Sequence, residues 1–106
     1  MDRVKLLTEI LLDVNARIDE RDDAGIDLGE YNDDRALNAL LTVVLNPSEE
    51  PTIMDVCGES VAQIWVKRNQ FDAASYEKMH PMARAEAYDY IVGVKPEWIT
   101  KFHLIR

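Results

Sequence analysis

The stretch IMDVCGESVAQIWVKR, residues 53–68, sets the fold class of this chain. Its apolar residues recur at intervals of three and four, which is the period of an α-helix. Thr52 is a suitable N-cap for this helix, because its hydroxyl can accept a backbone hydrogen bond. Gly58 lies inside the pattern, where glycine costs about 1 kcal/mol relative to alanine. A glycine at this position predicts that another helix approaches closely.

The same period extends to both sides of this stretch, and the helix predicted over residues 35–45, apolar around much of its circumference, is expected to lie in the middle of the core. Further helices are predicted over residues 2–21, 35–45, 73–79 and 82–92, with a short one at 97–102. Prolines and polar residues separate them, and no stretch shows the two-residue alternation of a β-strand. Short links between helices favour antiparallel neighbours. We therefore expect one all-α domain over residues 1–106, an antiparallel bundle of about five helices.

The ends of two predicted helices depend on glycines. Val4, Leu7 and Leu11 begin an apolar stripe that Val14 and Ile18 continue, which predicts one long first helix. Gly25 is expected to follow its end with a positive φ, before an irregular link over residues 26–32. Gly93 is similarly expected to close the helix that Pro81 begins.

Charge is distributed unevenly along the chain, whose formal net charge is −8. Residues 1–50 contain thirteen acidic and five basic residues, whereas residues 51–106 contain seven of each. The whole imbalance therefore lies in the first half. An acidic field repels nucleic acids and raises the association rate of basic proteins. We expect a protein partner and no binding of DNA or RNA.

The acidic residues are densest in residues 19–34, which contain eight acids and a single base, Arg21. Clustered like charges repel one another and cost stability, so a partner that neutralises them would explain their presence. Tyrosine is frequent in interface hot spots, and Tyr31 lies among these acids. The predicted partner-binding residues are Asp19, Glu20, Asp22, Asp23, Asp27, Glu30, Tyr31, Asp33 and Asp34.

A calcium loop does not fit this stretch. With Gly25 at the sixth position of an EF-hand loop, Ala24 occupies the fifth and Tyr31 the twelfth, where the loop needs oxygen ligands. Helix capping explains part of the charge, because Asp33 and Asp34 can each accept backbone N–H groups at the start of the second helix. A solvated surface without a partner is the alternative interpretation of the remaining acids.

Few residues could carry catalysis. Cys57 lies on an apolar helix face and is predicted to be a core residue. His80 precedes Pro81 and is expected to fill the turn before a helix, while His103 has no recognisable partner. Hydrolase, phosphate-loop and zinc motifs are absent from the sequence. We predict a protein that is not an enzyme and that needs no metal and no cofactor.

The sequence predicts different positions for the two tryptophans. Trp65 is predicted to lie in the core, because it follows Val61 at helical spacing. For Trp98, two interpretations stay open: it anchors a partner at the surface, or it clamps the apolar tail, residues 96–106, onto the bundle.

The cellular location is predicted from the cysteine content and the hydropathy. A single cysteine forms no internal disulfide and suits a reducing compartment. No apolar run approaches the roughly 20 residues of a membrane span, and the N-terminal residues lack a signal-peptide pattern. We therefore expect a cytoplasmic protein that does not bind membranes.

Residues 55–65 and 81–87 resemble the paired helices of small HEAT-like proteins. The segment 32–98 is similar in particular to helical immunity proteins that bacteria encode beside secreted polymorphic or contact-dependent growth-inhibition toxins. The long first helix and the acidic link over residues 26–34 depart from a HEAT repeat.

This resemblance implies a cytoplasmic inhibitor that binds one toxin domain and covers its active site. Many such toxins are basic nucleases, and an acidic inhibitor would occupy the cleft that receives phosphates. The alternative is a small adaptor or regulatory subunit that binds a protein partner through an apolar groove.

Overall fold

The computed structural model describes residues 2–106 and shows an all-α bundle. Within these residues there are seven α-helices and one 3₁₀ turn, rather than about five helices. The helices are α1 (Arg3–Leu12), α2 (Ile18–Leu28), α3 (Asp34–Val44), α4 (Met54–Arg68), α5 (Ala73–Lys78), α6 (Pro81–Val94) and α7 (Glu97–Lys101). The predicted fold class is confirmed.

The central helix is α4, which is buried on most of its circumference. It contacts α2, α3 and α6, and its packing against α6 is the most extensive in the bundle. Eight of its residues are buried, among them Val61, Ile64 and Trp65. Burial of one such apolar side chain contributes about 1.5–3 kcal/mol, so this helix dominates the core.

The predicted first helix is wrong, because the chain breaks at residues 13–17 into α1 and α2. Asp13 Oδ1 accepts a hydrogen bond of 2.9 Å from the backbone N–H of Asn15. This side-chain turn competes with helix propagation. The apolar stripe therefore stops at Leu11, and Val14 is left 72% exposed.

The two glycine predictions are also wrong. Gly25 lies inside α2, and no glycine among residues 2–106 has a positive φ. Gly25 is needed for close packing instead, since an added Cβ would lie 2.9 Å from Cys57 Sγ on α4. Gly93 lies within α6, which continues to Val94.

The start of α4 differs from its prediction as well. Thr52 belongs to the 3₁₀ turn Pro51–Ile53, which precedes α4. Glu50 caps this turn, because its Oε1 accepts hydrogen bonds from the Thr52 N–H at 3.2 Å and the Thr52 hydroxyl at 2.7 Å. Thr52 is thus a donor to a cap rather than the cap itself.

The tail packs back onto the bundle through α7. Trp98 is 2% exposed, and Phe71 lies 5.6 Å from it, ring centre to ring centre. Of the two interpretations of Trp98, the clamp is therefore confirmed. Beyond α7, the hydroxyl of Tyr76 donates a 2.9 Å hydrogen bond to the carbonyl of Ile105.

Asp72 is the N-cap of α5, and its carboxylate accepts a 3.1 Å hydrogen bond from the Ser75 N–H. We expect Asp72→Ala to lower the free energy of unfolding by about 1 kcal/mol. Urea denaturation measures this loss, with Glu77→Ala as a control on the exposed face of the same helix. Equal losses in the two variants would contradict a capping role.

Candidate protein-binding surface

The helix α2 carries five of the eight acids of residues 19–34. It lies close to α4 because Gly25 and Gly29 face that helix without side chains. The Ser60 hydroxyl donates a 2.7 Å hydrogen bond to the Gly25 carbonyl. Lys67 Nζ donates a 2.6 Å hydrogen bond to the carbonyl of Gly29, the C-cap of α2. A cation is stabilising at this negative end of a helix. The packing of α2 on α4 thus determines which acids face outward.

Arg21, the single base of the acidic stretch, points inward and is 2% exposed. Its Nε donates a 2.8 Å hydrogen bond to the Leu11 carbonyl at the end of α1. Its Nη2 lies 2.8 Å from Glu49 Oε2. The hydrogen bond with Arg21 is the main cause that lowers the pKa of Glu49. Because Arg21 points inward, it does not neutralise the acids on the outer face of α2.

Sequence reasoning missed this buried ion pair, although a signal for half of it exists. Arg21 shares a helical face with Ala24, Gly25 and Leu28, all of which are buried. That spacing indicates an inward-facing arginine. Glu49 has no comparable signal, because it lies in the link between α3 and the 3₁₀ turn.

Four of the predicted binding residues already have cationic partners inside the chain. Asp19 lies 2.6 Å from Arg17 and Asp27 lies 3.3 Å from Arg3. The other two ion pairs, each at 2.8 Å, are Asp33–Arg35 and Asp34–Arg68.

Both carboxylate oxygens of Asp33 are already used in hydrogen bonds within the chain. Its side chain accepts hydrogen bonds from the side chain and the backbone N–H of Arg35. These bonds lower the pKa of Asp33 to about 2, and they make it the N-cap of α3, as predicted. Asp33 and its three paired counterparts have structural partners that a binding role would have to displace.

The other four acids, Glu20, Asp22, Asp23 and Glu30, have no ion-pair partner among residues 2–106. Two acids of α4, Asp55 and Glu59, are likewise exposed and unpaired there. Burial is the first cause that raises the pKa of Asp22, and the charges of Asp55 and Asp23 add to it. Carboxylates distant in sequence therefore come together.

We call Asp22, Asp23 and Asp55, together with Glu59 one helical turn after Asp55, the α2–α4 acidic face. Ile26 lies on the same side of α2, one turn after Asp22, and is 46% exposed. An apolar side chain with surrounding polar groups is the usual anatomy of a protein interface. Sequence reasoning missed the two α4 acids, because they lie more than twenty residues beyond the acidic stretch.

Tyr31 lies in the link between α2 and α3, and its side chain packs partly buried against the core. Its backbone N–H donates a 3.2 Å hydrogen bond to the Leu28 carbonyl. Tyr31 is therefore partly occupied by packing within the chain rather than fully exposed for a partner. The exposed large apolar residues of α2 are Ile18 and Ile26.

The groups considered for catalysis have structural roles. Cys57 is fully buried, and burial raises the pKa of its thiol to about 12. His80 is the N-cap of α6, because its Nδ1 accepts a 3.1 Å hydrogen bond from the Met82 N–H. Both predictions are confirmed, as is the core position of Trp65.

Within residues 2–106, no three histidine, cysteine or carboxylate side chains are grouped as metal ligands would be. In the same range, every helix is too short or too polar to cross a membrane.

Comparison with known proteins found no match for this chain: no family model, no curated protein and no solved structure is significantly similar to it.

Proposed function

We propose that this protein is an immunity protein, a stoichiometric inhibitor that binds a basic toxin domain, such as a secreted nuclease, and covers its active site. The α2–α4 acidic face is the proposed contact surface. Its carboxylates would occupy the positive cleft in which the toxin holds phosphate groups. The protein itself performs no chemistry in this role.

One observation carries the proposal: the acids of this face have no cation of their own within residues 2–106. A chain that pairs Asp19, Asp27, Asp33 and Asp34 internally leaves Asp22, Asp23, Asp55 and Glu59 uncompensated. Their mutual repulsion costs stability in the free protein. A basic partner removes that cost, so complex formation is favoured by the same charges that burden the monomer.

The direct test uses the toxin domain encoded next to this protein's own gene. Binding of the purified domain should follow one-to-one stoichiometry and should abolish its activity. The association rate should fall as the salt concentration rises, because the Debye length shortens from about 10 Å at 0.1 M to about 3 Å at 1 M. Stopped-flow measurements at two ionic strengths give this dependence.

The triple variant Asp23→Lys, Asp55→Lys and Glu59→Lys should slow association by roughly tenfold to a hundredfold at low salt. All three side chains are exposed and make no ion pair within residues 2–106, so the fold should tolerate the change. Stopped-flow mixing with the toxin domain measures the rate, and circular dichroism verifies the helix content.

A matched control reverses Glu9, Glu77 and Glu97, which are exposed elsewhere and alter the net charge by the same amount. This control should associate much faster than the first triple variant. Equal association rates for the two triple variants would mean that net charge alone steers the partner and that the α2–α4 acidic face is not the contact surface. An affinity that does not change with salt concentration would favour the alternative function, an adaptor that binds its partner through an apolar groove.

A further inference from the structure

A second site, separate from the acidic face, lies between α5, the start of α6 and the C-terminal tail. It is a cavity of about 240 Å³, with Phe71, Tyr76, Arg84, Phe102 and Leu104 in its lining. Pockets for drug-sized ligands span roughly 300–1,000 Å³. The cavity is therefore suited to one group about the size of an amino acid.

The apolar wall of this cavity is aromatic. Phe71 and Phe102 are stacked, with ring centres 4.7 Å apart and an angle of 23° between the planes. Both rings are only partly buried, although Phe71 also contacts the buried rings of Trp65 and Trp98. The aromatic cluster thus has a dry side in the core and an open side at the cavity, where a planar apolar group can stack.

Arg84 supplies an available cation in the same lining. No carboxylate within residues 2–106 forms an ion pair with it, and its one side-chain hydrogen bond is a long 3.5 Å contact with the Glu77 carbonyl. The other arginine of the lining, Arg106, is already paired with Asp89 at 2.9 Å. A guanidinium with free donors binds carboxylates in a two-pronged geometry.

The wall formed by the tail is held in place before any ligand arrives. His103 has a φ of 54°, which turns the chain back after α7. The Leu104 N–H then donates a 3.0 Å hydrogen bond to the Ile99 carbonyl, and the Tyr76 hydroxyl fastens Ile105. A preformed wall reduces the entropy that a ligand loses on binding.

We propose that this cavity binds a small monocarboxylate that carries an aromatic ring. The ring packs against the open side of the Phe71–Phe102 pair, and the carboxylate pairs with Arg84. Glu77 also belongs to the lining, so an acidic residue beside the cavity disfavours ligands with two negative charges.

The test titrates the full chain with 3-phenylpropionate and, separately, with its neutral amide. Backbone NMR shifts of Phe71, Tyr76 and Leu104 should saturate with a dissociation constant near 1 mM. The amide should bind about tenfold more weakly, because it loses a charge-assisted hydrogen bond. Equal affinity of acid and amide, or no saturable shift in the millimolar range, would overturn the proposal.

Variants locate the carboxylate. Arg84→Gln should lower the affinity for 3-phenylpropionate about tenfold, and Arg84→Lys should lower it by less. Arg17→Gln, which changes an exposed arginine elsewhere, should bind with the affinity of the parent chain. Unchanged binding by a folded Arg84→Gln variant would overturn the site.

The same chemistry occurs in free acids and at the C-terminus of a peptide that ends in phenylalanine. N-acetylphenylalanine distinguishes them: binding as tight as that of 3-phenylpropionate assigns the peptide end, and markedly weaker binding assigns the free acid.

Discussion

The variant Glu49→Gln is expected to unfold with a free energy about 3–5 kcal/mol lower than the parent chain. The substitution leaves the guanidinium of Arg21 buried without a counter-charge, although the hydrogen bond to Leu11 persists. Removing one partner of a buried pair costs much more than a surface ion pair contributes, which is about 0–1 kcal/mol. Chemical denaturation monitored by circular dichroism measures the loss.

Two further variants show whether the buried charge is the cause. Glu9→Gln removes an exposed carboxylate from α1 and should change the stability by less than about 0.5 kcal/mol. The double variant Arg21→Met with Glu49→Leu removes both charges and should recover much of the loss, since a buried pair can often be replaced by apolar residues. A double variant as unstable as Glu49→Gln would argue against this explanation.

The same ion pair predicts a dependence on pH. The pKa of Glu49 is lowered below 4.5 in the folded protein, chiefly by Arg21. Its contribution to stability is therefore complete above pH 4.5 and is lost as the pH falls through the folded pKa. The gap in stability between the parent chain and Glu49→Gln should narrow as the pH is lowered from 7 to 3. A constant gap over that range would contradict the assignment.

Gly58→Ala is expected to cost about 3 kcal/mol or more, although alanine is the better helix former. An added Cβ would lie 2.1 Å from the carbonyl oxygen of Ala83 and 2.6 Å from its Cα, both in the backbone of α6. Because a helix backbone cannot rotate away as a side chain can, α4 and α6 must separate. Overpacking of this kind typically costs about 1–3 kcal/mol and occasionally more.

Gly93→Ala provides the matched control for this clash. Gly93 is also helical, and an added Cβ there would meet no atom within 4 Å. Alanine should raise the stability by up to about 1 kcal/mol through helix propensity alone. Thermal unfolding compares the two variants, and a similar sign of change in both would mean that close packing does not determine the effect at Gly58.

Local patterns in the sequence were sufficient for much of the fold. The three-and-four spacing of apolar residues predicted α3, α4 and α6 with boundaries within two residues of those observed. Gly58 correctly indicated a close helix contact. The break after Leu12 was not predicted, because the apolar period continues by coincidence to Val14 and Ile18. The side-chain turn at Asp13 ends α1 within that period.

The candidate site was predictable in location but not in composition. Counting charges identified residues 19–34, but the helical period assigned them to the end of a long first helix and an irregular link, whereas α2 spans Ile18–Leu28. Which acids remain available depends on partners far along the chain: Asp27 meets Arg3, and Asp34 meets Arg68. Sequence spacing contains no information about such distant pairs.

The sequence by itself determined that this chain is helical and that its charge excess lies in the first half. Each of these depends on composition or on a period of a few residues. Only the tertiary structure decided that α4 is the central helix, that Arg21 turns inward to Glu49, that Asp55 approaches Asp22, and that the tail closes a cavity beside Arg84. Electrostatic interactions act through space, so they depend on which helices become neighbours.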